Sequence, residues 1–404
     1  MSLKKRIRKL FGARKTEPVA SNQESESVPA PAPAPALLTD PCAHLYFLRQ
    51  GPFGAELNAI GEVPRHTINW VVPDFGVGSG GHLNIFRMVA NLESLGFDCR
   101  VVIDRQTRFS DGVAAKTFIA EHYMPLNGEV YVGEATMPPA WFTFATAWET
   151  AYTVRNFRST HRKCYFVQDF EPMFFPAGTI ASLAEQTYRF GFLGITSGNW
   201  LADCLGRDYG MRTRTIGFSY DRVRYAPLPR GQSDKAKRIF FYARQFTPRR
   251  GFELGILVLS EVAKRMPDVE IVLAGSDVAA FSIPFDYRNA GILALDDLPR
   301  LYSDCDVALV LSHTNLSLLP LELMACGCPV VSNRGENVEW LLNGETAMLA
   351  ENDIDALADA IQALLTNEDL RQRLIRNGLA LAHSTDWKAQ AALLASYLQE
   401  EQGS

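Results

Sequence analysis

The first half of the sequence alternates short apolar runs with segments of helical periodicity. HTINWVVPDF, from His66, reads as a strand, and residues 82–96 carry apolar side chains at helical spacing behind a glycine-rich loop. A second strand, CRVVID, follows directly. Further strands are predicted at EVYVGE, FTFATAW, CYFVQD and FLGITS. This alternation of strands and helices is typical of a parallel sheet covered by helices.

The second half repeats the alternation. Strands are predicted at RIFFYARQ, VEIVLAG, DVALVLS and PVVSN, helices at 252–266, 297–303 and 320–326, and the segment 353–398 reads as helical. Between the halves, residues 217–237 are charged and contain prolines, as suits a crossing between domains. The sequence therefore predicts an α/β protein of two Rossmann-like, doubly wound domains that face a central cleft.

The N-terminal segment has a different composition. Residues 1–15 carry seven basic side chains and no acidic one, and an alternating Pro-Ala tract at 29–36 favours an extended linker. We predict a disordered tail and linker at 1–41, a first domain at 42–228 and a second domain at 229–385. The remaining segment, 386–404, is predicted to be a helix that returns to the first domain.

Overall charge and cysteine content exclude several classes of protein. The net charge of −5 over 404 residues argues against a nucleic-acid partner. No apolar run is long enough for a membrane span or a secretory signal, which favours a cytoplasmic protein. Seven scattered cysteines give neither a disulfide framework nor a zinc site. The basic residues 1–15 could hold the protein at an anionic membrane surface, here the inner face of the cell membrane.

A glycine-rich loop follows the first strand. Residues 76–81 formally match GxGxxG, and Asp104 ends the next strand, which keeps an NAD(P)-dependent oxidoreductase open as an alternative. The match is imperfect because residues 73–75 separate the strand from the first glycine. The start of the following helix still favours a negatively charged ligand. Its candidate binding residues are Gly80, Gly81 and His82.

The most specific motif lies in the second half. LPLELMACGCPVV, residues 319–331, places Glu322 at the start of a helix that ends near Gly327. This segment resembles family 4 glycosyltransferases, and the resemblance implies the GT-B fold and a carboxylate at Glu322 that accepts the ribose hydroxyls of a nucleotide sugar. It also implies that the first domain holds the acceptor and the second the nucleotide sugar.

The sequence departs from that family eight positions before Glu322. Thr314 stands where the family has another glutamate, which with the adjacent loop amides holds hydroxyls of the donor sugar. The departure puts the usual sugar preference in doubt and fits a less hydroxylated donor. It also keeps a non-catalytic, two-lobed sugar-binding protein open as an alternative. The candidate donor-binding residues of this loop are Thr314, Asn315, Leu316, Ser317 and Leu318.

An arginine-rich segment follows the first strand of the second domain. Residues 241–251 resemble the family's diphosphate-binding segment, with arginine in place of lysine. Cleaving a glycosyl phosphate leaves negative charge on the leaving group, which fixed cations stabilise. The resemblance assigns Arg244 and Arg250 to the diphosphate, with Arg249 and Gly275 as further substrate-binding residues.

The first domain contributes polar residues at the end of a strand. In YFVQDFEP, residues 165–172, the side chains of Gln168, Asp169 and Glu171 are predicted to point into the cleft. The segment resembles the rhamnan-synthesis rhamnosyltransferases of family 4. That resemblance implies transfer of L-rhamnose from dTDP-rhamnose to a growing polysaccharide or lipid-linked glycan, with retention, without a cofactor or metal ion, and with Asp169 at the acceptor or sugar.

Overall fold

The computed structural model describes residues 40–105, 107–231 and 237–403. Most of the predicted tail and linker, residues 1–39, lies outside the described part of the chain. None of the described helices is both long and apolar enough to cross a lipid bilayer.

Strands and helices alternate along the described chain. The strands are β1 (Thr67–Val72), β2 (Asp98–Ile103), β3 (Val130–Val132), β4 (Ala140–Ala145), β5 (Thr160–Val167), β6 (Leu193–Ser197), β7 (Arg212–Ile216), β8 (Lys237–Tyr242), β9 (Val269–Ala274), β10 (Arg288–Gly291), β11 (Val307–Val310), β12 (Val330–Asn333) and β13 (Met348–Ala350). The α-helices are α1 (Leu57–Ile60), α2 (Gly80–Ser94), α3 (Gly112–His122), α4 (Trp148–Asn156), α5 (Thr179–Gln186), α6 (Asn199–Tyr209), α7 (Phe252–Arg265), α8 (Leu298–Ser303), α9 (Leu319–Ala325), α10 (Glu336–Glu339), α11 (Ile354–Thr366), α12 (Glu368–Ser384) and α13 (Trp387–Gln402). Short 3-10 helices cover Ala43–Arg49, Glu134–Thr136, Glu171–Phe174, Thr187–Arg189 and Pro248–Arg250.

The strands form two parallel sheets, one per domain. The first has the order β3-β2-β1-β4-β5-β6-β7, and the second has the order β10-β9-β8-β11-β12-β13. In each sheet the early strands of the chain lie in succession on one side of the first strand, and the later strands lie in succession on its other side. The strand order therefore reverses between β1 and β4 and again between β8 and β11, and ligands of open α/β sheets bind at such reversals.

Each sheet is buried between layers of helices. Trp70 of β1 lies opposite Phe144 of β4, and their stacked rings are 4.5 Å apart between centroids. In the second sheet Phe241 of β8 lies opposite Leu309 of β11, and both side chains are buried. Near-continuous apolar strands of this kind are expected where both faces of a parallel sheet are covered.

The last helix, α13, packs against α2 and β7 of the first domain. Glu401 accepts two hydrogen bonds from Arg212 of β7, at 2.8 and 2.9 Å, and Glu400 pairs with Arg214 at 3.0 Å. The N-cap carboxylate of Asp386 starts the helix by accepting from the Ala389 amide.

The chain passes between the domains twice, and the two passages touch. Arg222, after β7, donates to the carbonyl oxygens of His383 and Thr385 at the end of α12. The Thr385 hydroxyl donates to Ser219 Oγ at 3.0 Å, and the Gly217 amide donates to the side chain of Gln390. The segment that leaves the first domain after β7 is therefore hydrogen-bonded to the segment that returns to it before α13.

The predicted GT-B-type architecture and every predicted strand are confirmed. Three strands, β7, β10 and β13, are not apparent in the sequence pattern, and all three lie at sheet edges. The segment predicted as helical from residue 353 consists of three helices, α11 to α13.

Candidate functional site

The candidate residues gather where the carboxyl ends of the two sheets face each other. In the second domain the loop after β8 carries the three arginines, and the loop after β11 contains residues 312–318. These two loops follow the neighbouring strands between which the strand order reverses. In the first domain Gln168 and Asp169 directly follow β5. The two domains meet at these loops.

Asp169 is the point where groups of both domains converge. Its Oδ1 accepts hydrogen bonds from the amides of Phe170 at 2.9 Å and Asn315 at 2.8 Å. Its Oδ2 accepts from the Thr314 hydroxyl at 3.0 Å and lies 3.4 Å from Arg249 Nε and 3.9 Å from Arg250 Nη2. Asp169 of the first domain thus has two positively charged neighbours and one hydroxyl and one amide donor from the second domain.

Asn315 is bonded on both sides of the domain contact. Its side-chain amide donates to the carbonyl oxygens of Gln168 at 2.9 Å and Ser197 at 2.7 Å, at the ends of β5 and β6. Its Oδ1 accepts from the Trp340 indole N–H at 2.8 Å. We call Asp169, Arg250, Thr314, Asn315 and Trp340 the interdomain joint.

The three arginines have different surroundings. Arg249 reaches across to the first domain, where its guanidinium lies 3.9 Å from the ring centroid of Phe174 and beside Asp169. Arg250 is directed into its own domain and donates to Ser312 Oγ at 2.6 Å and to the Asn315 carbonyl at 3.1 Å.

Arg244 contacts the Gly275 carbonyl at 3.3 Å, and within the described ranges it makes no ion pair with a carboxylate. Of the three arginines it therefore has the charge most available to an anionic ligand.

Gly275 allows the backbone to pass close to this arginine. Its φ of +108° is in the region that favours glycine, and an added Cβ would lie 2.6 Å from the Tyr242 ring and 3.4 Å from Arg244 Cδ. A larger residue would therefore displace the Tyr242 ring, which lies next to Arg244.

Glu322 lies in a mixed-charge environment at the start of α9. Loss of hydration raises the pKa of its carboxyl to about 7, against the opposing effects of Arg87, the Tyr225 hydroxyl and Arg224. Arg87 belongs to α2 of the first domain and its guanidinium lies 5.0 Å from the Trp387 ring centroid. The Glu322 carboxyl therefore changes its charge as pH passes through neutrality.

The glycine loop is held by side chains from elsewhere in the first domain. The Tyr123 hydroxyl donates to the Gly76 carbonyl and accepts from the Ser79 amide at 3.3 Å. Gln168 donates to the Gly81 carbonyl at 3.2 Å and accepts from Asn84 at 3.2 Å. Helix α2 begins at Gly80 and Gly81. The first backbone N–H groups of a helix have no carbonyl partner within that helix.

His82 is engaged on both ring nitrogens. Nδ1 lies 2.7 Å from Ser79 Oγ, and Nε2 lies 3.2 Å from the Pro73 carbonyl, to which it donates. Burial lowers the pKa of His82 to about 4, so the ring is neutral at physiological pH. Any anion at the start of α2 would therefore meet backbone amides rather than a charged imidazole.

Glu171 does not face the cleft, contrary to the prediction from its position after β5. Its carboxylate is buried within the first domain and accepts from the Trp148 amide at 2.8 Å and the Tyr165 hydroxyl at 3.0 Å. Burial raises its pKa to about 8. The Glu171–Phe174 3-10 helix turns the chain inward directly after Asp169, which explains why two nearby carboxylates point in different directions.

The other residues of the 314–318 loop are partly used within the protein. Leu316 is buried, and its amide donates to the Asn337 carbonyl at 3.2 Å. Ser317 Oγ accepts from the Leu319 amide at 3.4 Å. Leu318 is the N-cap of α9 and is partly exposed, as is Ser317.

Asp104, the candidate ribose acid of an oxidoreductase, has a fully buried carboxylate. It accepts from the Thr153 hydroxyl at 3.0 Å and lies 2.8 Å from Arg105 Nε. Its partners and burial argue against contact with a dinucleotide ribose.

Comparison with known proteins relates the chain to glycosyltransferases. Residues 237–362 match the protein family described as "WsaF, C-terminal domain". Over 349 residues the chain is 34% identical to the O-antigen biosynthesis protein RfbC of Myxococcus xanthus, a match that covers 83% of this chain and 27% of RfbC. It is 25% identical over 208 residues to a GDP-mannose-dependent phosphatidylinositol monomannoside mannosyltransferase of Mycolicibacterium smegmatis, covering 44% of this chain and 54% of that protein. The chain thus spans only part of the length of these relatives.

Solved structures of similar architecture include the sucrose-phosphate synthase of Thermosynechococcus elongatus, with a TM-score of 0.64, 16% identity and coverage of 84% of this chain and 100% of that one. HepE of Anabaena, solved in complex with UDP and glucose, matches with a TM-score of 0.62, 17% identity and coverage of 83% and 99%. The chain has the GT-B fold.

The GT-B arrangement brings together residues that sequence reasoning did not connect. Arg87, Ser312 and Trp340 were not predicted, although each contacts a predicted residue or acts on its charge. Trp340 follows the short helix α10, and no motif marks it. Only the fold shows that it lies over Asn315.

Within the described part of the GT-B fold, no group of three or more His, Cys, Asp or Glu side chains is arranged to hold a metal ion. Positive charge at the domain contact is supplied by the arginines after β8.

Proposed function

We propose that the protein is a glycosyltransferase that moves a sugar from a nucleotide-sugar donor to a growing polysaccharide or lipid-linked glycan. The observation that carries this proposal is the arginine-rich loop after β8 of a GT-B fold. Arg249 and Arg250 lie beside Asp169 of the first domain, and Arg244 makes no ion pair with a carboxylate of the described residues. The similarity to an O-antigen biosynthesis protein and to a mannosyltransferase supports the same reaction class.

In this proposal the donor lies mainly on the second domain. Arg244 and Arg250 contact the diphosphate, and the ionised Glu322 accepts hydrogen bonds from the ribose hydroxyls. Fixed cations matter most as the glycosyl phosphate bond breaks, because negative charge then accumulates on the leaving oxygen. Asp169 faces the acceptor or the transferred sugar from the first domain.

The proposed reaction retains the configuration at the anomeric carbon. The bond from that carbon to the phosphate oxygen breaks, and the acceptor oxygen bonds to the same face of the sugar. The acceptor proton passes to the departing diphosphate. The arginines supply the positive charge that this leaving group requires, so the proposal includes no metal ion.

The proposed donor is dTDP-rhamnose. Thr314 offers a hydroxyl rather than a carboxylate to this part of the loop, and that hydroxyl is already bonded to Asp169. A donor sugar with fewer hydroxyls needs fewer hydrogen-bond partners from such a site. HepE, whose structure contains UDP and glucose, shares the fold at 17% identity and therefore does not define the donor of this chain.

Two measurements on the purified protein test the proposed function. A thermal-shift panel of dTDP, UDP, GDP, NADH and the corresponding nucleotide sugars should show stabilisation by dTDP and dTDP-rhamnose, because a ligand that binds the native state raises the midpoint. Mass spectrometry with each sugar donor should then show transfer, or slow donor hydrolysis when no acceptor is present.

The outcomes separate the alternatives. Stabilisation by NADH, with no response to nucleotide sugars, would indicate an oxidoreductase. Donor binding without hydrolysis or transfer in the presence of glycan acceptors would indicate a sugar-binding protein. Faster turnover of UDP-glucose than of dTDP-rhamnose would refute the proposed donor while leaving glycosyl transfer intact.

A further inference from the structure

Asn315 uses all of its polar groups within the protein. Both side-chain N–H groups donate, to the carbonyl oxygens of Gln168 and Ser197, and its side-chain oxygen accepts from Trp340. Its amide donates to Asp169, and its carbonyl accepts from Arg250 at 3.1 Å and from Ser312 Oγ at 3.0 Å. With 1% of its surface exposed, Asn315 has little capacity to bind a donor sugar directly.

The partners of Asn315 divide between the two domains. Gln168, Asp169 and Ser197 belong to the first domain, at the ends of β5 and β6. Arg250 and Trp340 belong to the second. One residue therefore fixes the first domain's carboxylate and the second domain's guanidinium at the same time.

The surrounding packing supports this arrangement. Gly198 has a φ of +95°, and an added Cβ would lie 2.7 Å from the Trp340 ring. The indole therefore packs directly on the first-domain backbone while its N–H bonds to Asn315. Such close approach requires both the glycine conformation and a flat aromatic ring.

Buried amide side chains can set geometry because each lost hydrogen bond leaves an unsatisfied polar group. Loss of the Asn315 side chain would leave two carbonyl groups at strand ends and one indole N–H without these hydrogen bonds. A shift of the 312–315 loop would separate Asp169 from Arg249 as well, since their 3.4 Å contact spans the same boundary.

We propose that Asn315 is a positioning residue that docks the second domain on the ends of β5 and β6 and so holds Asp169 at the arginines of the catalytic cleft. Asn315 does this without contacting donor or acceptor. The catalytic part of this assignment rests on the proposed function, whereas the docking part does not.

The test uses the full chain with Asn315→Asp, which preserves size but replaces the two N–H donors with a carboxylate oxygen that faces two carbonyl oxygens. Asn377→Asp is the matched control, because the partly exposed Asn377 side chain donates to the Glu345 carbonyl in the second domain. Thr314→Val removes one donor from the joint and nearly preserves side-chain shape, and Trp340→Phe removes one donor but keeps an aromatic ring.

Two readouts are measured on each protein. Steady-state kinetics should show kcat at least tenfold lower in Asn315→Asp with donor KM changed less than about threefold, the pattern of a group that acts on the transition state without binding the substrate. Small-angle scattering and hydrogen exchange should show a larger radius of gyration and faster exchange of peptides containing 193–198 and 312–316. Trp340→Phe and Thr314→Val should change both readouts in the same direction by a smaller factor.

Unchanged kcat in a folded Asn315→Asp protein would overturn the proposal, as would a lower kcat with unchanged scattering and exchange, since Asn315 would then act on the substrate directly. If Asn315→Asp does not fold, wild-type behaviour of both Thr314→Val and Trp340→Phe would overturn it. Failure of the wild-type chain to transfer any sugar would refute the proposed function alone, because the scattering and exchange readouts still test the docking.

Discussion

At the scale of single residues, neighbouring positions of like chemistry have different roles. Arg249 and Arg250 are adjacent, yet one contacts the first domain and the other its own domain. Asp169 and Glu171 are two positions apart, yet one faces the domain contact and the other the core. The sequence predicted that Asp169 and Glu171 both point into the cleft, which is wrong for Glu171, because the direction of each side chain depends on 3-10 turns that the sequence pattern does not show.

Arg244 is the residue whose loss should reduce catalysis most. Arg244→Ala should lower kcat about a hundredfold and raise donor KM much less, since the lost charge matters most as the leaving group forms. Arg250→Lys should be milder because an ammonium group can still meet a phosphate. The measurement is steady-state kinetics, with Arg189→Ala as an exposed control. Near-normal turnover by Arg244→Ala would contradict the proposed mechanism.

Glu322 should make donor binding depend on pH. Its carboxyl, with a pKa of about 7, is largely protonated below neutral pH and becomes ionised as pH rises. Since an ionised carboxylate accepts both ribose hydroxyls, donor KM should fall as pH rises through about 7. Glu322→Gln should remove this dependence, and Arg87→Met should move it to higher pH, because Arg87 is the strongest of the groups that lower the pKa.

The same ionisation affects stability with the opposite trend. The native pKa of Glu322 is raised from 4.5 to about 7, so the folded state binds this proton more tightly than the unfolded state. The contribution to the free energy of unfolding is present below pH 4.5 and is lost as pH rises toward about 7. Urea titrations of wild type and Glu322→Gln between these limits should diverge accordingly; parallel curves would contradict the raised pKa.

At the scale of elements, the sequence predicted best what the core determines. The central strands are continuous apolar runs and were recognised, whereas β7 (RTRTI) alternates exposed and half-buried positions at an edge, and β10 and β13 are short. The loop after β11 was recognised only as a candidate ligand site. Its contact with Asp169 joins residues 145 positions apart, and no local pattern indicates such a contact.

Helix α13 should contribute to the stability of the first domain through Glu401. Its side chain is 6% exposed and accepts hydrogen bonds from Nη1 and Nη2 of the exposed Arg212, whereas both Glu400 and Arg214 are exposed. Glu401→Gln should lower the free energy of unfolding by about 1 kcal/mol, and Glu400→Gln by less than about 0.5 kcal/mol. Urea denaturation measures both. Equal effects would show that the Glu401 pair adds nothing beyond a surface ion pair.

At the scale of the whole molecule, the basic segment 1–15 is predicted to bind an anionic membrane surface, which we propose to be the inner face of the cell membrane. The segment lies outside the described residues, so the prediction rests on its seven basic side chains and on about 1 kcal/mol for each near such a surface. The full chain should co-sediment with anionic but not neutral vesicles. A variant lacking residues 1–41 that sediments equally well would show that the segment is not the anchor.

The paired passages between the domains constrain how the cleft can change shape. Because the segment after β7 and the segment before α13 are bonded to each other through Arg222, Thr385 and Ser219, the two covalent connections lie side by side, and a line through them is the natural hinge axis. Twisting or sliding of one domain against the other would break this pair, whereas rotation about that line would preserve it. We therefore expect the cleft to open and close mainly through a change of the angle about that line. The interdomain joint sets the value of that angle at which Asp169 meets the arginines.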